Sequence, residues 1–380
     1  MVAVSQRTSP SLGEFVDQSY DFWLQNDPND PRQPLLSTPV DRIYIIGAGA
    51  SVPYGLPTLK NLTWQLLQCL GEQDRQTLLG VIFECFNLTL ERAEDSPDFE
   101  ELLNRLDPNA VRYLGGIGLD EKLAVRKNAI TLALSSLRKF IRDRCLSAAC
   151  VVGPYDRLVA SLDERTAIVS FNWDVLLEVA FRRAGQTFRY LPTPSSTAGT
   201  ILLKPHGSIN WFALLDRECL CLSRDSNLAA FGDSLAYYLL YVTNPLAPVV
   251  LGGSTVEYAL ARVPAIVPPS ASKLLSVGGN PRDGYVEGGH ARALQNTWHA
   301  FKLMLDQASE IVIVGYSLPG TDASSLALLR NYASTLSTSR PKKVRLIEPN
   351  SSIAERYKNL LCIEVEVIGR DFASFDPAGL

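Results

Sequence analysis

Basic charge is not in surplus along this sequence: 36 Lys and Arg stand against 40 Asp and Glu, giving a formal net charge of -4 and a pI near 5.6. Nothing global draws the chain to DNA, RNA or anionic lipid, and no direct nucleic-acid binding is expected. A paired set of cysteines is lacking too. The seven are an odd number, scattered at Cys69, Cys85, Cys145, Cys150, Cys219, Cys221 and Cys362. The start "MVAVSQRTSP" has neither a basic nor an apolar leader segment, so a reduced, cytoplasmic protein is expected. One uncharged run, "SLAYYLLYVTNPLAPVVLGG" from Ser234, reaches the roughly 20 residues that span a bilayer, but Asn244, Pro245 and Pro248 break it. Without flanking basic anchors it reads as a buried helix turning into a buried strand, and no membrane contact is expected.

Two nucleotide signatures are incomplete. No G-K-[ST] is present, which excludes a P-loop. In "YIIGAGASVPYGLPTLK" a strand-like run delivers Gly47 and Gly49, but Val52 stands where the third glycine of a dehydrogenase fingerprint belongs. No helix of normal length then leads to a second strand ending in an acid. What remains is a glycine turn at a strand end, suited either to a pyrophosphate, through free amides and a helix dipole, or simply to a tight bend.

What is present organises well. At 46% hydrophobic and 20% charged, the 380 residues suit one or two folded domains. Residues 1–38 hold an amphipathic patch, "FVDQSYDFWL", and an Asn, Asp and Pro-rich linker; this helix is a candidate for docking a partner. Short apolar, β-branched runs mark strands at 42–46, 166–170, 201–203, 265–267, 311–314 and 344–347. Four of them, "RIYII", "AIVS", "IVIVG" and "VRLIE", are continuous rather than alternating, as strands covered on both faces of a parallel sheet are. An open α/β sheet is expected, as one domain over 39–380. Residues 60–164 read as an inserted helical subdomain, in which "DSPDFEELLNRL" predicts a helix with Ser96 as N-cap and Pro97 at its first position. A second, small insertion is expected at about 212–262.

Polar residues gather where these strands end. Asn172 and Asp174 follow "IVSF", His206 and Gly207 follow "ILLKP", Gly315 and Ser317 follow "IVIV", and Glu348 and Asn350 follow "VRLI". Open α/β sheets place ligand-contacting groups at such strand ends. Simpler readings exist for several: Asn172 or Asp174 as helix caps, Lys204 as a strand-end charge or a phosphate contact, Tyr54 and Thr58 as loop residues, and Arg182 and Arg183 as a solvated helix face.

Taken in order, "GAGAS" with "GLPT", "SFNWD", "KPHGSINW", "VPPSASK" and "GYSLPGTD" resemble the sirtuin-like family, and within it the bacterial NAD+-consuming proteins of anti-phage defence. The match spans about 44–350. The resemblance implies a Rossmann-like, doubly wound, mostly parallel sheet with NAD+ as substrate. It implies that Gly47, Ala48, Gly49 and Ser51 hold the pyrophosphate, that Pro57 and Thr58 cover nicotinamide, and that Gly315, Ser317, Glu348 and Asn350 face the adenosine half. Asn172 would contact the nicotinamide ribose and the attacking water, Asp174 the carboxamide, and His206 would be the catalytic histidine.

Two departures weaken a protein-deacylating role. The two C-x-x-C pairs that hold zinc in deacylating relatives are missing, since the stretch after the histidine motif contains only Cys219-x-Cys221 and Cys145 with Cys150 lies on the wrong side, so no zinc is expected. Phe171 also replaces the glutamine common before the asparagine. The expected function is NAD+ hydrolysis to ADP-ribose and nicotinamide by a regulated toxic effector. A homo-oligomer and a regulatory partner, such as a HerA-type ATPase or an Argonaute-type protein, are implied. The alternatives are a deacylase or ADP-ribosyl transferase using the same residues, or a non-catalytic nucleotide sensor.

Overall fold

The four continuous apolar runs lie side by side at the centre of one sheet. The computed structural model describes residues 39–106, 119–191, 198–213, 228–230, 239–242, 250–251, 254–255, 264–266, 289–319, 322–334, 343–361, 364–368 and 371–377. The first strands are β1 (Arg42–Ile46), β2 (Thr166–Ser170), β3 (Phe188–Tyr190) and β4 (Thr200–Leu203). Next come β5 (Gly207–Ala213), β6 (Leu228–Ala230), β7 (Leu239–Val242), β8 (Val250–Leu251), β9 (Ser254–Thr255) and β10 (Pro264–Ile266). The last are β11 (Glu310–Val314), β12 (Lys343–Ile347) and β13 (Val365–Val367). Seven of these form an all-parallel sheet in the order β13-β12-β11-β1-β2-β4-β3. A second sheet, β10-β5-β7-β6, is antiparallel, and β8 pairs with β9.

Alternation along each central strand divides the core in two. Tyr44, Ile46, Ile168, Leu202, Val312 and Val314 face one side, and Ile43, Ile45, Val169, Leu203, Ile311 and Ile313 the other. Among the described residues, five α-helices lie between β1 and β2: α1 (Leu59–Cys69), α2 (Glu72–Phe86), α3 (Phe99–Leu106), α4 (Leu119–Ala148) and α5 (Pro154–Ala160). With α6 (Leu176–Arg183) they cover the first face, where Leu66, Ile82, Leu102, Phe140, Leu158 and Phe181 join the sheet's own core. The inserted helices are thus one whole layer of the fold rather than a lobe apart from it. The other face takes α7 (Gly289–Gln307), α8 (Ala323–Ser334) and α9 (Ser351–Leu361), through Phe301, Met304, Leu329 and Tyr357. This is a doubly wound, Rossmann-like α/β fold.

Register then builds the site's edge. Ile46 is level with Val314 on one side and Ser170 on the other, and Val314 with Ile347, so four strands stop in one line. Gly47, Phe171, Gly315 and Glu348 follow in a row. From β1 the chain proceeds through β2 towards β3 on one side, and returns at β11 to continue outward on the other. Connections that leave adjacent strands in opposite directions open a crevice at their carboxyl ends, here between β1 and β11.

Some expectations change. Residues 239–242, within the run read as a buried helix, are strand β7, paired with β5 and β6. The helix in "DSPDFEELLNRL" begins at Phe99, not Pro97, and Asp98 rather than Ser96 caps it, its Oδ1 accepting the Glu100 amide at 2.8 Å. No described helix is long and apolar enough to cross a membrane. The docking helix expected within 1–38, the "VPPSASK" motif, Cys219, Cys221, Cys362 and much of the insertion at 212–262 lie outside the described residues.

Candidate active site

A cleft of about 510 Å³ opens over the switch point, within the 300–1,000 Å³ range of small-molecule sites. All thirteen residues singled out in the sequence line it: Gly47, Ala48, Gly49, Ser51, Pro57, Thr58, Asn172, Asp174, His206, Gly315, Ser317, Glu348 and Asn350. They come from separate strand ends and meet only because the register levels those ends.

Of the two readings of the glycine turn, the tight bend is the one visible in its contacts. After β1 the chain enters a 3-10 helix, Ala48–Tyr54, and closes it at Gly55 with φ 81. The amides of Gly47 and Gly49 are committed, donating to Val314 O at 3.0 Å and Gly315 O at 2.9 Å. Both glycines pack on the turn after β11: a Cβ on Gly47 would lie 2.5 Å from Tyr316 Cα, and one on Gly49 2.9 Å from Gly315 Cα. Their missing side chains serve loop-on-loop packing. Ala48 stands at the head of the 3-10 helix and lines the cleft.

Ser51 is likewise occupied. It is buried, donates its hydroxyl to Asp174 Oδ2 at 2.7 Å, and receives the Asn172 amide at 3.0 Å; Tyr155 OH also lies 3.0 Å away. Its side chain locks Asn172 and Asp174 together at the cleft. Asn172 Nδ2 also donates to Gly47 O at 2.9 Å. With both amide hydrogens directed at acceptors, the group that Asn172 offers is its carbonyl oxygen Oδ1, which can only accept a hydrogen bond.

Asp174 does double duty. Its Oδ1 accepts the Leu176 amide at 3.1 Å where α6 begins, so the capping and site readings both hold a part of it. Burial raises its pKa above the usual 3.8, opposed by the charge of Lys204 and by the bonds from Ser51 and Leu176. A carboxyl whose folded pKa exceeds the unfolded value favours the fold most below pH 3.8, and that benefit is lost as pH rises through the folded value. Asp174→Asn removes this dependence. Relative to wild type, the variant is expected to unfold at higher temperature at pH 8 and to lose that advantage by about pH 4; thermal scans across pH check it.

Lys204 is not a phosphate contact. It is fully buried and donates to Glu178 Oε1 at 2.9 Å, Ser208 Oγ at 2.9 Å and the Asp174 carbonyl, tying the "NWD" turn to the "KPHGS" turn. Arg182 and Arg183 do lie on an exposed helix face, where Arg183 pairs with Asp156 at 2.5 Å. Tyr54 does not line the cleft; its hydroxyl accepts the Tyr155 amide at 2.8 Å and its ring stacks on Tyr155 at 5.2 Å. Asn350 caps α9, its Oδ1 accepting Ser352 N and Oγ at 3.0 and 2.8 Å. Glu348 stands beside it with its pKa raised by burial, partly offset by the Asn350 amide.

The His206 ring is boxed in. Phe171 meets it edge-on at 4.9 Å and stacks on Tyr316 at 4.4 Å, with Trp298 6.1 Å from the imidazole. Phe171 is therefore the wall behind the histidine.

Sequence reading missed two acids of the cleft lining. Asp98 and Glu100 enter the cleft from the start of α3, next to Phe99, which packs on Trp173 at 6.2 Å. Burial raises the Asp98 pKa. Their signal, acids in a helix's first turn, is that of any capped helix. Tyr155, from α5, had no signal beyond its apolar neighbours. Among the described residues, no group of histidine, cysteine and acidic side chains is arranged to hold a metal.

No protein-family model matches this chain, and no curated protein matches it. Its chemistry is read from the cleft. That cleft offers a fixed acceptor, a walled imidazole, the head of a 3-10 helix at Ala48, a helix start with Thr58 at the cap of α1, and the carboxyl groups of Asp98 and Glu100.

Proposed function

We propose that this chain is an NAD+ glycohydrolase that releases nicotinamide and ADP-ribose. The observation supporting it is the meeting of Asn172, Asp174 and His206 with four strand-end turns around a single cleft at the switch point of the sheet. The leaving nicotinamide is already cationic, so no strong general acid is needed; the site must place water and favour an oxocarbenium-like transition state. The pyrophosphate lies against the Ala48 amide and the start of α1, where the dipole and Lys60 favour anionic oxygens. Glu348 accepts from ribose hydroxyls. Asp174 takes the carboxamide, Asn172 Oδ1 holds the water or the nicotinamide ribose, and His206 accepts the proton. Asp98 and Glu100 suit a substrate whose positive charge moves from pyridinium to ribose.

An NAD+ hydrolase in the cytoplasm endangers its own cell, so its activity must be held in check. We therefore read it as a triggered effector of anti-phage defence, controlled by self-assembly or by a HerA-type or Argonaute-type partner. The test is to incubate purified protein with NAD+, alone and with such partners, and to separate the products by chromatography. Nicotinamide and ADP-ribose are expected in equal amounts. His206→Ala, shown folded by circular dichroism, should lower kcat by about 10²–10⁴; an unchanged rate would sink the assignment.

A further inference from the structure

One carboxylate in contact with the site belongs to none of the strand ends. Asp322 is fully buried just before α8, and its Oδ2 lies 3.1 Å from His206 Nε2. The same oxygen accepts the hydroxyls of Tyr316 and Ser325, each at 2.6 Å, while the Ser325 amide approaches Oδ1 at 3.4 Å. Both hydroxyls donate to this oxygen, which disperses the charge of a carboxylate that holds the imidazole. The Tyr316 carbonyl is in turn fixed by Tyr357 OH at 2.8 Å.

We propose that Asp322 is the positioning residue of His206. It keeps the proton of the neutral ring on Nε2, leaving Nδ1 as the basic nitrogen, and it stabilises the imidazolium once Nδ1 is protonated. The logic is that of an aspartate behind a catalytic histidine, with substrate water in place of a nucleophilic side chain. Phe171 and Trp298, on two other sides of the ring, carry no charge, and Tyr316 is the second titratable group beside it. Asp98, Glu100, Asp174, Glu348 and Lys60 belong to the cleft lining beyond. Of these groups, Asp322 is the carboxylate bonded to the ring.

As a step of catalysis this rests on the NAD+ hydrolase reading. The water oxygen bonds to ribose C1′ as the bond from C1′ to the pyridinium nitrogen breaks. That bond's electron pair leaves with nicotinamide, now neutral, and the water's proton passes to His206 Nδ1 and then to solvent. The pairing itself requires no substrate.

Imidazole ¹⁵N spectra separate the two. The chain has three histidines, and His290→Gln and His299→Gln identify the remaining signal. In the wild type, neutral His206 is expected to carry its proton on Nε2. In Asp322→Asn its titration midpoint should fall by about one pH unit or more, and Asp322→Glu should recover part of the shift. On NAD+, Asp322→Asn should lower kcat about 10²-fold or more with KM little changed. A wild-type ring protonated on Nδ1, or a midpoint unmoved by Asp322→Asn, overturns the role of Asp322. The expected spectra with no nicotinamide released under any condition would leave the pair standing and remove the substrate. The wild-type tautomer needs no variant, so misfolding of Asp322→Asn does not blunt the test.

Discussion

Lys204→Met is expected to destabilise the protein by about 3–5 kcal/mol, because it leaves a buried carboxylate without its cation. Lys204 and Glu178 have fully buried side chains, with Nζ 2.9 Å from Oε1, and Tyr190 OH adds a bond to the same oxygen at 2.8 Å. Glu178 Oε2 has no partner, so after the substitution Tyr190 and more distant charges are all that oppose the burial of an anion. Asp174 suffers as well, since Lys204 is the strongest influence opposing the rise in its pKa. The double variant Lys204→Met, Glu178→Leu should recover much of the loss, because a buried ion pair contributes little net stability beyond that of well-packed apolar groups. Denaturant unfolding of the two single variants and the double variant measures this. A single-variant loss under about 1 kcal/mol would show that water reaches Glu178. The pair also carries geometry to the site, through the bond from Nζ to the Asp174 carbonyl and the one from Ser208 to Trp173 O at 3.3 Å. Even where the double variant is stable, Asn172 and His206 should lose their mutual placement and nicotinamide release should fall.

Ease of reading along the sequence tracked burial on both faces. β1, β2, β11 and β12 announced themselves because two helical layers demand apolar residues at every position. The three-residue strands β3 and β13 were silent: too short for a pattern, they lie at the sheet's edges, where Arg189 and Glu366 are tolerated. In β5, the polar Ser208 and Asn210 alternate with Ile209 and Trp211, yet all are buried, which no hydropathy pattern predicts. The site divides in the same way. Strand ends could be located, so the cleft's lining was legible; which lining groups face a ligand was not, since Ser51 and Asn172, 121 residues apart, satisfy one another. Asp98, Glu100, Tyr155 and Asp322 come from helices and helix starts, where an acid or a tyrosine has many ordinary uses.

Gly315→Ala should be among the most damaging single changes in the protein, at about 2–5 kcal/mol. Gly315 has φ 57, a left-handed conformation that costs an alanine about 1–2 kcal/mol. Its new Cβ would lie 2.4 Å from Ala50 N and 2.6 Å from Gly49 C, backbone atoms that cannot rotate aside, adding overpacking of about 1–3 kcal/mol. Gly47, with φ -122, has no conformational penalty; Gly47→Ala should cost only its clashes with Tyr316 Cα, Tyr316 Cβ and Gly315 O. Both substitutions push the same two turns apart, so the double variant should lose less than the sum. Gly80→Ala is the control, because that exposed residue inside α2 has nothing within 4 Å of a new Cβ and should gain about 0.5–1 kcal/mol. Thermal unfolding without any nucleotide distinguishes two reasons for a glycine at position 47. Were close approach to a pyrophosphate the sole reason, Gly47→Ala would unfold like the wild type until NAD+ was added. Packing of the β1 turn on the β11 turn predicts a loss already present in the unliganded protein, and it makes the glycine loop and the switch point of the sheet one rigid piece.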